Sequence, residues 1–163
     1  MEQENIITFI ADFDDQTNQI KINYSTLKKK MTLLTDGSIT PELVDSIGYW
    51  LHNLYCAYED LFKIVASFFE NNHANNGGYH KSLLKRMRIN IKGIRPALLS
   101  EENYKNMDEL RGFRHVFRHA YSYGLDDERV AFLLRKVMKN KATILNDIEK
   151  FKQKVIDHSD CVE

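Results

Sequence analysis

The chain has little with which to build turns. Its 163 residues hold only 2 prolines and 7 glycines, which argues against a turn-rich all-β fold and favours helix. Cysteine is scarce too. Cys56 and Cys161 form no CxxC pair and lie at no zinc-type spacing from histidine, so both are expected as free thiols, with no metal and no cofactor. No run of about 18 apolar residues occurs, so no membrane span is expected. The opening Met1-Glu-Gln-Glu-Asn5 lacks the basic start and apolar stretch of a secretory signal, and a soluble, cytoplasmic protein is the expectation. Net charge is also missing, because 23 Lys plus Arg balance 23 Asp plus Glu. No global field draws the protein to nucleic acid or membrane, so binding to either must come from a local patch.

What is present is helical periodicity. Hydrophobic residues make up 43% and aromatics 11%, enough for one sizeable core, and the length suits a single domain over residues 1–163. Ile6, Ile10, Phe13, Thr17, Ile20, Tyr24, Leu27, Met31 and Leu34 alternate in steps of three and four, which predicts one long amphipathic helix of about 45 Å. Asp36-Gly-Ser38 ends it. Thr40-Pro41-Glu42 starts the next as N-cap, first-turn proline and first-turn acid, and the stripe from Leu43 through Trp50, Leu54 and Leu61 to Phe68 marks a buried central helix running to about Asn71.

After the polar break 73–78, a short basic helix is expected over Tyr79–Lys92, stopped by Gly93-Ile-Arg-Pro96. Its Lys81, Lys85, Arg86, Arg88 and Lys92 are read as a solvated face in preference to a nucleic-acid track. Ser100 caps a helix with Glu101 and Glu102 in its first turn, expected to reach Tyr123. Gly124 is its C-cap, and Asp126 begins a last helix lined by Val130, Leu134, Val137, Ile144, Ile148, Phe151 and Val155. The sum is an all-α, up-and-down four-helix bundle with an additional short helix.

One stretch concentrates chemistry. Arg111-Gly-Phe-Arg-His-Val-Phe-Arg-His-Ala-Tyr121 places three arginines and two histidines on the helix that follows Ser100. Leu110, Phe113, Val116, Phe117 and Ala120 fall on one side, and Arg111, Arg114, His115, Arg118, His119 and Tyr121 fan over the other. Charges on a helix usually form a solvated face, but such faces mix their signs at i,i+4 spacing. Here no carboxylate lies between positions 110 and 125. An anionic ligand would offset the repulsion, and the forked donors of arginine beside a titratable imidazole suit RNA. His52, His73, His80 and His158 are scattered and are expected to be structural or surface residues.

Arg114-His-Val-Phe-Arg-His119-Ala-Tyr121 resembles the Arg-x4-His-x-Tyr pattern of HepT-like toxins in the HEPN superfamily, in its place on the penultimate long helix of an all-α bundle. The resemblance implies a metal-independent ribonuclease toxin, homodimeric and neutralised by a minimal nucleotidyltransferase antitoxin. Arg114 and His119 would then be the catalytic pair, and Tyr121 the residue that the partner modifies with AMP in some members. Where the family often has Asn after the motif arginine, this chain has His115, which keeps a polar group there. Two alternatives stay open: a noncatalytic partner or substrate-binding subunit of a nucleotidyltransferase, and a plain helical dimerisation module.

RNA cleavage without metal needs a base for the 2′-hydroxyl, an acid for the leaving oxygen and cations for the charged transition state. Residues five apart on an ideal helix diverge by about 140°, so Arg114 and His119 bracket the polar arc and do not sit side by side. Two copies about a twofold axis would complete a shared cleft. Inside the arc, Arg111, His115 and Arg118 would bind phosphates, His115 also serving as a second proton carrier. Tyr121 projects about 20° from Arg114, so AMP on its hydroxyl would set a bulky anion beside the arginines.

Overall fold

The computed structural model describes residues 3–35, 37, 39–70, 79–119 and 124–160. Within them the chain forms α1 (Gln3–Thr35), α2 (Pro41–Glu70), α3 (Tyr79–Met87), α4 (Glu101–His119) and α5 (Asp127–Asp160). The starts are set by side chains that satisfy free backbone donors of the first turn. Thr40 Oγ1 accepts from Leu43 N at 3.2 Å, Ser100 Oγ from Asn103 N at 3.4 Å, and Asp126 Oδ1 from Arg129 N at 2.9 Å. Gly124 takes φ 72°, a left-handed conformation that favours glycine after a helix.

The long helices α1, α2, α4 and α5 alternate in direction. Phe9 of α1 stacks on Phe68 at 4.4 Å, while further along α1 the Tyr24 hydroxyl bonds that of Tyr58 at 2.9 Å. Asp14 takes Lys152 Nζ at 2.6 Å and Phe13 stacks on Phe151, while further along α1 Lys141 Nζ lies 5.5 Å from the Tyr24 ring, so α5 runs back along α1. Asp147 of α5 accepts from Ser100 and Asn103 at the start of α4, and Lys136 pairs with Glu109 about two turns further along α4. The central helix is α2, which packs against all four others. Its Ile47, Leu51, Leu54, Tyr58, Leu61 and Val65 are fully buried. Trp50 is half-buried, because it lies at the margin of the stripe.

The short helix differs from expectation. It ends at Met87, five residues before Lys92, and the cause lies in residues distant along the chain. The Arg95 side chain is wholly buried and spends all five N–H groups: Nε and Nη2 on Glu70, Nη1 on the carbonyls of Ile89 and Pro96, and Nη2 again on that of Arg86. Leu98 N and Leu99 N both donate to the Met87 carbonyl. With the last carbonyls of α3 taken by the connector, the helix cannot continue. The basic face is partly neutralised as well, since Arg86 pairs with Glu70 and Arg88 with Glu101 at 2.9 Å.

Candidate functional site

The cluster lies on the last two turns of α4, beside the first half of α2. Leu110 and Phe113 anchor this part of α4 in the core, and Phe117 reaches α2 where Gly48 leaves room. A Cβ at position 48 would stand 3.3 Å from the Phe117 ring and 2.4 Å from Leu125 Cδ1, so the close approach of α4 depends on that glycine.

The arginines divide. Arg111 Nε donates to Asp108 Oδ1 at 2.8 Å, an i,i+3 pair with an acid just outside the charge-free window, so its charge is already partly answered. Arg118 is exposed. Arg114 is half-buried; its Nε is shielded from solvent without a hydrogen-bond partner, and among the described residues no carboxylate forms an ion pair with it. Of the polar arc, His115, Arg118 and His119 are exposed, whereas Arg111 and Arg114 are half-buried, and the Arg114 charge is felt by His52 and Tyr55 of α2.

The histidines pair with each other. The rings of His115 and His119 lie 4.3 Å apart, and His119 Nδ1 is 2.8 Å from the His115 carbonyl. A carbonyl only accepts, so Nδ1 carries the proton and donates, which leaves Nε2 of this exposed ring to exchange protons. On the α4 helix the five-residue spacing sets Arg114 and His119 about 140° apart around the axis. Ala120, Tyr121 and Tyr123 lie outside the described residues, as do His73 and Cys161. Cys56 is a free, half-buried thiol.

Two residues of α2 belong to this site and were not expected there. His52 stacks on Phe117 at 5.3 Å, and its Nε2 lies 3.6 Å from Cys56 Sγ. Burial first, then the positive charges of Arg114 and Arg118, lower its pKa below the usual 6.5, against an opposing pull from Glu59. Tyr55, one turn on, is fully buried. Burial and Glu59 push its phenol far above the ordinary value, with Arg111 and Arg114 pulling the other way. The sequence held a signal for them: Gly48, His52, Tyr55 and Glu59 step by four, three and four along one line of an otherwise apolar helix. His80 likewise has a partner, lying 2.6 Å from the buried Glu59.

Among the described residues, no group of three or more His, Cys, Asp and Glu side chains could hold a metal, and no helix is long and apolar enough to cross a membrane. A 570 Å³ cavity lined by Ile6, Phe69, Ile94, Arg95 and Val155 opens at the bundle end remote from the cluster.

An antiparallel all-α bundle of this kind is HEPN-like. A profile of HepT-like proteins matches residues 46–155, two-thirds of the chain, and the chain belongs to that family. The matched segment begins in α2 and takes in the whole cluster, leaving α1 outside. No curated protein and no solved structure matches the chain. Membership of this family suggests a toxin of the HEPN type and a ribonuclease activity.

Proposed function

We propose that the protein is the toxin of a toxin–antitoxin pair and a metal-independent endoribonuclease acting on tRNA or mRNA in the cytoplasm. The observation that carries this reading is the contrast within one motif. Arg114 is a half-buried cation with no carboxylate paired to it among the described residues, suited to a phosphate, and His119 has its Nδ1 tied to a carbonyl with Nε2 left for proton transfer. In the reaction, a base takes the 2′-hydroxyl proton, the 2′-oxygen attacks phosphorus, and the bond to the 5′-oxygen breaks as that oxygen receives a proton. His119 supplies a proton-transfer group, and Arg114 stabilises the charge that develops on the phosphate oxygens. Arg118 and His115 on the exposed arc would hold flanking phosphates, with a smaller share for Arg111 because Asp108 already engages it.

A homodimer supports the same chemistry, because two facing α4 helices would bring His119 of one copy against Arg114 of the other. A nucleotidyltransferase antitoxin adding AMP to Tyr121 would block that cleft with negative charge. The test is cleavage of total tRNA and mRNA by the purified protein in EDTA, with light scattering on the same sample. Cleavage by a dimer, lost in both His119→Ala and Arg114→Ala with the helical signal retained, is expected. Cleavage by His119→Ala at the native rate would remove that residue from the chemistry, and a wild type that binds but does not cut would favour the noncatalytic partner of a nucleotidyltransferase.

A further inference from the structure

Six buried side-chain polar atoms among the described residues have no hydrogen-bond partner, and three of them lie on α2 and α4, where the Arg114 charge acts on both of the other two residues: His52 Nδ1, Tyr55 OH and Arg114 Nε. Two of the others, Glu70 Oε2 and Arg86 Nε, belong to residues that form an ion pair with each other. The three at the seam have no such explanation. An unsatisfied buried donor or acceptor costs about 1–3 kcal/mol, and phenylalanine would fill the space of Tyr55 without leaving a hydroxyl there. The acids within reach are committed elsewhere, Asp108 to Arg111 at 2.8 Å and Glu59 to His80 at 2.6 Å and Lys63 at 3.5 Å. The seam therefore sets two polar side chains of α2 within the electrostatic reach of an arginine of the motif and, among the described residues, gives it no ion-pair partner. His52 is held by its stack on Phe117, a residue of the motif itself.

We propose that Tyr55 and His52 are positioning residues for Arg114: when the Nη groups of Arg114 engage an RNA phosphate, its Nε–H donates to the Tyr55 hydroxyl while the His52 ring walls the guanidinium. This rests on the reading that Arg114 binds a phosphate of RNA. A guanidinium held at Nε presents its remaining N–H groups in a fixed fork, and that fixed geometry is what a developing phosphorane charge rewards. Neither α2 residue touches the substrate, so the effect belongs in kcat and not in binding.

Tyr55→Phe tests this because it deletes one oxygen and nothing else. The variant is expected to resist urea at least as well as the wild type, since a buried orphan hydroxyl is gone, while kcat for RNA falls about tenfold with little change in KM. A hydroxyl that only filled space would leave kcat unchanged, and that result overturns the proposal. A second measurement is independent of cleavage. The Arg114 Nε–H resonance, assigned by its loss in Arg114→Lys, is followed as an uncleavable 2′-O-methyl oligoribonucleotide is added. Slower exchange with water is expected in the wild type and not in Tyr55→Phe. If that pattern appears in a protein that cuts no RNA, the seam stands and the ribonuclease reading falls. If the resonance does not respond in the wild type, or responds equally in Tyr55→Phe, the seam is refuted whether or not RNA is cut.

Discussion

Gly48→Ala separates the stability of the bundle from the geometry of the site. The added methyl would lie 2.4 Å from Leu125 Cδ1 and 3.3 Å from two atoms of the Phe117 ring, against an ordinary carbon–carbon separation of about 3.5–4.0 Å. Leu125 is the far end of a flexible, half-buried side chain and can turn aside. Phe117 is confined between the stacked His52 at 5.3 Å and Phe113 at 6.2 Å, so α4 has to yield by a few tenths of an ångström. Replacing glycine inside a helix gains about 1 kcal/mol, and overpacking costs about 1–3 kcal/mol. The net change lies between about zero and 2 kcal/mol of destabilisation, a urea midpoint lower by up to about 1–2 M. The effect on RNA cleavage should be larger, because Phe117 stands between Arg114 and Arg118, and small displacements of positioned groups can cost up to about 100-fold in rate. A loss of at least tenfold in kcat/KM is expected with the helical signal intact. A variant that gains stability and cleaves at the native rate would show that the close approach of α4 to α2 does not set the site.

Two further outcomes are expected. Incubated with ATP and its cognate nucleotidyltransferase, the wild type should gain the mass of AMP and lose activity, whereas Tyr121→Phe should keep near-native cleavage and gain no mass; equal gain in both would place the modification elsewhere. The pKa of His52 is lowered in the fold by burial, Arg114 and Arg118, so its neutral form is favoured there and its contribution to stability is present above the unfolded value of about 6.5 and lost as pH falls through the folded value. His52→Gln should therefore flatten the fall in urea midpoint between about pH 7 and 5, and a slope equal to that of the wild type would mean that the imidazole does not titrate differently on folding.

The parts of this structure that were legible in the sequence are the local ones. Thr40, Ser100 and Asp126 cap helices through bonds to backbone three residues away, and the stripe of α2 follows from its 3.6-residue period. The end of α3 was not legible, because Arg95 stops it through Glu70, 25 residues earlier. The site divides in the same way. Arc residues of α4 follow from projection, and Asp108 stood one helical turn before Arg111, outside the window that was read as free of acid. The half-burial of Arg114 and the reach of its charge to His52 and Tyr55 required α2 and α4 to be set against each other, which no spacing within either helix contains.

The two flanks of α2 carry different duties. On one, Tyr58 is hydrogen-bonded to Tyr24 of α1 and the ring of Phe68 lies on Phe9; on the other, Gly48, His52 and Tyr55 meet α4. A screen for variants that have lost function would therefore draw two kinds of lesion from a single helix. Changes on the α1 flank would lower the amount of folded protein in the cell, and changes on the α4 flank would leave normal amounts of an inert one. Immunoblotting of the survivors would sort them, and position along α2, read modulo the helical turn, would tell in advance which kind each is.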